Sequence, residues 1–315
     1  MENPIVSVII VSFNVKELLR QCLNSLRKEQ TLMEIFVVDN ASQDGTIEML
    51  KSEFSDWRAL NIITNEVNIG FSRANNQAIS KCSGRYILFL NPDTIILPGA
   101  ITALVEYLET HIDVGIVGPR LIYSDGSLQL SCGTRPYLLG TIFDSFMLYK
   151  LSPRLFGRNR YMEWEHNEER DVGWVSGACL MIRKELALSL KGFDENFFFT
   201  GEDVDLCLRV WQRGYRVVYY PKVAIIHLEG QSSRKNRTQI ILKAYQSKLY
   251  FYRKYKGKLT VIFLRGVFFL SSLVKTIFAC IIGSVKPDPY CSIFRAHLNA
   301  IFKIWVLNIP QPRGD

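Results

Sequence analysis

Carboxylates gather at three places where an apolar run ends. These are Val37-Val38-Asp39-Asn40, Phe89-Leu90-Asn91-Pro92-Asp93, and a longer stretch, Phe197-Phe198-Phe199-Thr200-Gly201-Glu202-Asp203-Val204-Asp205. A carboxylate at such a spot can ligate a hard divalent cation, hold a hydroxyl or nucleobase donor, or take a proton from a nucleophile. His227, 24 residues beyond Asp203, adds an imidazole. Simpler structural readings stand beside each. Thr200 to Asp203 fits a helix capping box, and Asp205 and Arg209 are spaced for an ion pair on one helix face. Asn91-Pro92-Asp93 fits a turn, Asp39 a strand-end turn, and His227 a structural histidine at a strand end. A cap accounts for one or two acids of the long stretch. It leaves the aromatic run unexplained, and aromatic surface beside a carboxyl raises its pKa by desolvation.

The elements that must position these groups alternate two periodicities. Ile5–Ser12, Glu34–Asp39, Leu60–Thr64, Tyr86–Leu90 and Val114–Val117 read as strands. Helices fall after Asn14 and around Thr46–Phe54, Phe71–Ser80 and Gly99–Thr110, with Asn14 and Glu17 as the N-cap pair of the first. Near-continuous apolar strands separated by helices predict an α/β fold on a mostly parallel sheet covered on both faces. Ligands of such sheets bind beyond the carboxyl ends of the strands, where Asp39 and Asn91–Asp93 lie. Neither end offers a glycine-rich phosphate cradle: no GxGxxG follows the first strand, and GxxxxGK[ST] is absent. A nucleotide here would be held by carboxylates and a metal ion instead. Downstream, Tyr123–Gln129 reads as a hairpin turning at Asp125-Gly126, and residues 149–165 as a loop. Gly173–Arg183 reads as a strand whose Gly177 and Ala178 permit close backbone approach, and Arg216–Tyr220 with Val223–His227 as a last strand pair.

At 315 residues and 48% apolar content, the chain suffices for one large domain with an appendage. Seven scattered cysteines without a CxxC pair read as reduced thiols in a cytosolic compartment, and no secretory-type leader is read at the N-terminus. The net charge of +8 is unevenly divided: from Glu229 onward, 15 Lys and Arg oppose three acids, giving +12 and leaving −4 for residues 1–228. The main region is therefore not a nucleic-acid binder, and the C-terminal region is expected to meet an anionic surface. Residues 231–258 hold nine Lys and Arg and no acid. Leu259–Val285 is mostly apolar and long enough to span a bilayer, but Arg265 and Lys275 interrupt it at a cost in hydrocarbon. It is expected to be an interfacial or re-entrant amphipathic element; the alternative is a helical hairpin packed on the globular part or on a partner. The expected division is a catalytic domain over 1–230 and a basic, apolar helical region over 231–315.

Several segments occur together in order: VSVIIVSFN (6–14), VVDNASQDGT (37–46), NIGFSRANNQAI (68–79), FLNPDT (89–94), GWVSGACLMIRKE (173–185), GFDENFFFTGEDVDLCLR (192–209) and PKVAIIH (221–227). This resembles the glycosyltransferase family 2 pattern on the GT-A nucleotide-sugar-binding fold, over roughly residues 5–235. The NPDT and EDVDL forms look most like its rhamnosyltransferase-type branch, which builds bacterial surface polysaccharides. The resemblance implies that Asp39 holds the nucleobase, with Ser12 and Asn14 lining the base and ribose pocket and Asn68, Gly70, Arg73 and Asn76 forming the next wall. Asn91-Pro92-Asp93 would replace the family's DxD motif, with Asp93 as its retained carboxylate and His227 as a further contact to Mg²⁺ or Mn²⁺. Asn91 stands where many relatives carry Asp, so the metal would have one direct carboxylate fewer. Asp203 would be the catalytic base, with Glu202 or Asp205 orienting the acceptor or the helix start. Trp174, Gly177 and the aromatics ending at Phe199 would line the acceptor sugar together with Asp205.

The implied activity is an inverting, metal-dependent transfer of L-rhamnose from dTDP-rhamnose to a lipid-linked glycan. It would take place at the cytoplasmic face of a bacterial plasma membrane, with the protein peripheral or monotopic and able to self-associate. The alternatives are a UDP-hexose or UDP-galactofuranose donor, or a non-catalytic nucleotide-sugar-binding module.

Overall fold

The computed structural model describes residues 3–157, 159, 161–198, 200–228, 237–283, 297–299 and 303–312. The chain opens with parallel strands β1 (Val6–Ser12), β2 (Met33–Asp39), β3 (Leu60–Thr64) and β4 (Tyr86–Leu90). Helices α1 (Lys16–Leu26), α2 (Thr46–Glu53) and α3 (Phe71–Ile79) connect them. Every residue of β1 and β4 is buried, so neither strand alternates polar and apolar residues. Leu19, Leu23 and Leu26 recur at helical spacing on α1 and share one buried cluster with Val8, Ile10 and Leu88.

The remaining strands are β5 (Thr94–Ile96), β6 (Val114–Ile122), β7 (Leu128–Gln129), β8 (Cys132–Gly133), β9 (Arg170–Asp171), β10 (Trp174–Val175), β11 (Cys179–Arg183) and β12 (Arg216–His227). The main path of the sheet runs β3-β2-β1-β4-β11-β6-β12-β5. β11 is antiparallel to both β4 and β6, β12 is parallel to β6, and β5 closes the far edge antiparallel to β12. Because β2 and β3 lie on one side of β1 and β4 on the other, the strand order reverses at β1 and β4, the switch point beyond which such sheets bind ligands. The expected hairpin forms, with Gly126 at φ 82° and β7 folded back on β6.

Three local expectations are corrected. Asn14 does not cap α1: Val15 holds the N-cap position without a side-chain bond, and the Lys16 N–H donates 2.9 Å to Asp44 Oδ2 from the neighbouring loop. Arg216–Tyr220 and Val223–His227 are one strand, β12, whose register shifts between Tyr220 and Ala224; Pro221, which has no N–H to offer a ladder, sits in that irregularity. Residues 149–165 are not simply a loop: after α5 (Leu138–Ser145), a 3-10 turn (Leu148–Lys150) and the short helix α6 (Pro153–Phe156) form there.

The chain divides into two compact units, and the division is not a single cut near residue 230. The first comprises Met1–Arg135, Trp164–Glu195 and Glu202–Ser232, and holds the whole sheet with α4 (Ala100–Thr110), α7 (Lys184–Ser189) and α8 (Glu202–Gln212). The second comprises Pro136–Glu163, Asn196–Gly201 and Ser233–Asp315. It is built on α9 (Arg237–Lys256) and α10 (Lys258–Gly283), joined at Gly257, whose φ of 84° reverses the chain. Tyr245 stacks on Phe268, and its hydroxyl meets Ser272 Oγ at 3.0 Å, so α9 and α10 form an antiparallel hairpin. The apolar segment expected over Leu259–Val285 is thus a single helix, α10, whose hairpin partner is the basic segment before it. Inside the same unit, Phe197 is fully buried with its ring edge-on to Tyr250.

Candidate active site

The ends of β1 and β2 make the first half of the site. Strand register sets Ser12 beside Asp39, and the Asn40 N–H donates 2.8 Å to the Ser12 carbonyl. Asp39 Oδ2 accepts the Ser42 N–H at 2.9 Å, and Asn14 Oδ1 accepts the Gln43 N–H at 2.7 Å. The backbone of Asn14 is left-handed, with φ 54°, a conformation asparagine tolerates better than most residues. Asn40 reaches the Gly70 carbonyl at 3.4 Å, and Gly70, at φ 91°, begins α3 with its N–H bonded to Asn68 Oδ1. Two atoms in this half are buried without a hydrogen-bond partner, Ser12 Oγ and Asp39 Oδ1. Buried polar atoms are seldom left unpaired, so a hydroxyl and a carboxylate oxygen lacking partners at a strand switch point mark where a ligand would supply donors.

The second half lies beyond β4, β5 and β12. Thr94 opposes His227 in the β5–β12 ladder, and the Leu228 N–H donates 2.8 Å to the Asp93 carbonyl. This pins Asp93 and His227 together: Oδ1 lies 3.2 Å from Nε2, and both residues are buried. Gln129, carried in by the β6–β7 hairpin, holds His227 Nδ1 at 2.8 Å. With Nδ1 donating to Gln129, a neutral imidazole turns its Nε2 lone pair on the Asp93 carboxylate, a conflict that a proton or a cation between them removes. One carboxylate and one imidazole fit a divalent ion that draws its other ligands from water and a substrate diphosphate. Among the described residues no three His, Cys, Asp or Glu side chains are placed to hold a metal ion together, and Asn91 stands in place of a second acid.

The third carboxylate comes from α8. Asp203 Oδ2 accepts the Gly177 N–H at 3.0 Å, and Oδ1 accepts the Val204 N–H at 2.8 Å. Next along the chain, the Ala178 carbonyl accepts the Asn91 N–H at 2.9 Å. Asp203 is thus tied through Gly177-Ala178 to the turn that carries Asp93, and the two acids belong to one hydrogen-bonded assembly. A Cβ added at Gly177 would stand in ordinary contact, 3.4 Å from the Asp203 Cβ and 3.7 Å from Oδ2, so the approach of the carboxylate does not itself require glycine. Burial raises the Asp203 pKa above the usual carboxylate value, opposed by the N–H bonds from Gly177 and Val204. Glu202 is 5% exposed with Oε2 unpaired, and burial, then Asp203 and then Asp205, holds its carboxyl well above its ordinary range.

Other expected site residues take structural places. Asp205 is fully buried and accepts from Arg209 Nε at 2.7 Å, while the remaining Arg209 nitrogens bond the Leu190 and Gly192 carbonyls at 2.8 and 2.9 Å. Enclosed in that way, it offers no face to an acceptor; it fixes α8 to the segment before it. Asn76 is likewise spent. Its amide donates to the Phe193 carbonyl and to Glu195 and accepts the Phe193 N–H, clamping residues 193–195 rather than lining a nucleotide pocket. Arg73 is exposed and pairs with Glu195 at 3.4 Å. Trp174, half-buried, lies on the β8–β10 ribbon. Phe199 falls outside the described residues, and Phe197, buried beneath Tyr250, presents no surface to a sugar. Sequence reasoning missed Gln129 and Glu195. Gln129 followed a visible turn signal, but nothing in one chain's letters says that this turn ends beside His227.

Comparison with known proteins agrees with this geometry. The model of the glycosyl transferase family 2 matches residues 7–187. The N-acetylglucosaminyl-diphospho-decaprenol L-rhamnosyltransferase of Mycobacterium tuberculosis is 27% identical over 247 residues, covering 74% of this chain and 79% of its own. The rhamnosyltransferase WbbL of Escherichia coli K12 is 26% identical, covering 73% of this chain and 85% of its own. Among solved structures, a mannosyltransferase of Pyrobaculum calidifontis in complex with GDP-Man and Mn²⁺ superposes with a TM-score of 0.57, covering 97% of this chain and 87% of its own at 16% identity.

Proposed function

Because the chain belongs to glycosyl transferase family 2, we propose that it moves L-rhamnose from dTDP-rhamnose onto a lipid-linked glycan, with inversion at the anomeric carbon. It is a glycosyltransferase of GT-A fold, and rhamnosyltransferases are among its relatives. The observation that carries the mechanistic reading is the assembly of Asp203, Gly177-Ala178 and Asn91–Asp93.

In this reading the donor's base and ribose lie against Ser12, Asn14 and Asp39, completing the two unpaired atoms. Asp93 and His227, steadied by Gln129, would hold Mg²⁺ or Mn²⁺, which would supply neutralisation of charge on the diphosphate leaving group. Asp203 accepts the proton of an acceptor hydroxyl as its oxygen attacks the anomeric carbon and the bond to the diphosphate oxygen breaks. Its raised pKa makes it a stronger base than a solvated aspartate. The M. tuberculosis relative is named for a diphospho-decaprenol acceptor, which supports a lipid-linked acceptor here and a place at the cytoplasmic face of a bacterial membrane.

Thermal-shift measurement against a panel of nucleoside diphosphates with Mn²⁺ tests the donor, since a ligand at 100 times its Kd stabilises the folded state by about 2.7 kcal/mol. Selective stabilisation by dTDP, lost in chelator, is expected. A larger response to UDP would move the donor to a UDP-sugar. No response to any diphosphate would remove the catalytic reading.

A further inference from the structure

Helix α10 is apolar on two sides. Val261, Leu264, Val267 and Phe268 are buried, while among the described side chains those exposed, apart from Lys258 at the start, are Leu259, Ile262, Phe263, Leu270, Leu273, Val274, Ile277, Phe278 and Ile281. At 100° per residue these fall within one arc of about 160°, a continuous stripe about 33 Å long at 1.5 Å per residue. The polar side chains of the helix point the other way. Ser271, Ser272 and Thr276 are buried, and the Arg265 guanidinium bonds the carbonyls of Ile304, Trp305 and Leu307. Lys275 is also turned inward, its ammonium held down to about 8 by burial and then by Lys248. A water-soluble helix shows the opposite arrangement. Trp305 and Val306, both exposed, extend the apolar surface beside Phe269.

We propose that α10 lies flat in the interfacial layer of an anionic bilayer, with this stripe sunk among the acyl chains. Two observations select that occupant. The segment Lys258–Phe278 is long and apolar enough to cross a membrane. However, α9 packs antiparallel along it and would carry Lys243, Lys248, Arg253, Lys254 and Lys256 into hydrocarbon if α10 crossed. Lying in the plane leaves those cations at headgroup depth. Second, residues 229–315 carry a surplus of +12, which attracts an anionic surface and would repel a second copy bearing the same surplus. The inference deepens the lipid-linked acceptor reading and rests on it only for why the enzyme would sit at a membrane.

Co-sedimentation of the full-length protein with vesicles of phosphatidylglycerol and phosphatidylcholine, without donor or acceptor, tests it independently of the transfer chemistry. The wild type should partition at least tenfold more strongly than Phe263→Glu and Ile277→Glu, whose exposed positions leave folding intact by circular dichroism. Brominated lipids should quench Trp305 fluorescence in the wild type, judged against Trp305→Phe. Equal partition of wild type and variants would overturn the proposal. So would a wild-type dimer that ignores vesicles and becomes monomeric on Ile277→Glu, since the stripe would then belong to a second copy.

Discussion

Helices α8 and α10 both break the ordinary rule of polar outside and apolar inside, and they do so in opposite ways. α8 buries charge: Glu202 is 5% exposed and Asp205 not at all. Asp205 is compensated by its ion pair to Arg209, whereas burial and then the adjacent Asp203 disfavour the charged form of Glu202. α10 instead exposes a stripe of leucine, isoleucine, valine and phenylalanine while burying Ser271 and Ser272 and tying Arg265 to backbone carbonyls. Burying a charge costs free energy unless it is compensated, and exposing apolar surface costs about 25 cal/mol per Å². The Asp205 charge is compensated inside the fold by Arg209, whereas Glu202 Oε2 and the exposed stripe of α10 have no such compensation there, which supports the proposals of a substrate beside α8 and a lipid surface against α10.

That contrast can be broken at four places. The largest effect is expected for Asp203→Asn, which should lower turnover by about 10²–10⁴-fold while leaving donor affinity in place. Single-turnover kinetics with titrated donor would measure both, and unchanged turnover would put the base elsewhere. Arg209→Leu should come next. It removes the ion pair of the buried Asp205 and should cost about 3–5 kcal/mol in denaturant unfolding; a loss below about 1 kcal/mol would mean that the pair adds little beyond the other contacts of Asp205. Glu202→Gln should be smaller and depend on pH. Because the folded pKa of Glu202 lies above its ordinary 4.5, its contribution to stability is fully present below that pH and is lost as pH rises through the folded value. The glutamine variant should therefore match the wild type near pH 4 and melt higher than it at neutral pH and above. Ile277→Glu should change stability least, within about 0.5 kcal/mol, because the side chain it replaces is 52% exposed. A large loss there would make the stripe part of a folded core.

Much of the sheet could be read from the letters, because its strands are short runs buried on both faces and its helices keep a 3.6-residue period. Leu60–Thr64 and Tyr86–Leu90 match the expected strands at both ends. The errors have local causes. Asn14 carries a good capping side chain, but the loop at Asp44 reached the first free N–H of α1 from across the sheet edge. The bulge in β12 joined two segments that Pro221 makes look separate. In the site, Asp93 and His227 were expected to meet and do, whereas Asp205 and Asn76 were expected to face substrate and instead hold the backbone. An acidic or amide side chain reads the same in one dimension whether its partner is a ligand or Arg209.

The sequence by itself determined the parallel sheet, the placement of Asp39 and Asp93 at strand ends, and the charge surplus beyond residue 229, since these follow from periodicity and composition. The tertiary structure decided which groups are still unpaired. Only long-range packing could leave Ser12 Oγ and Asp39 Oδ1 without partners, bring Gln129 to His227 across 98 residues, and turn the apolar side of α10 outward. Satisfaction and exposure belong to neighbours in space, and the order of residues along the chain does not fix those neighbours one by one.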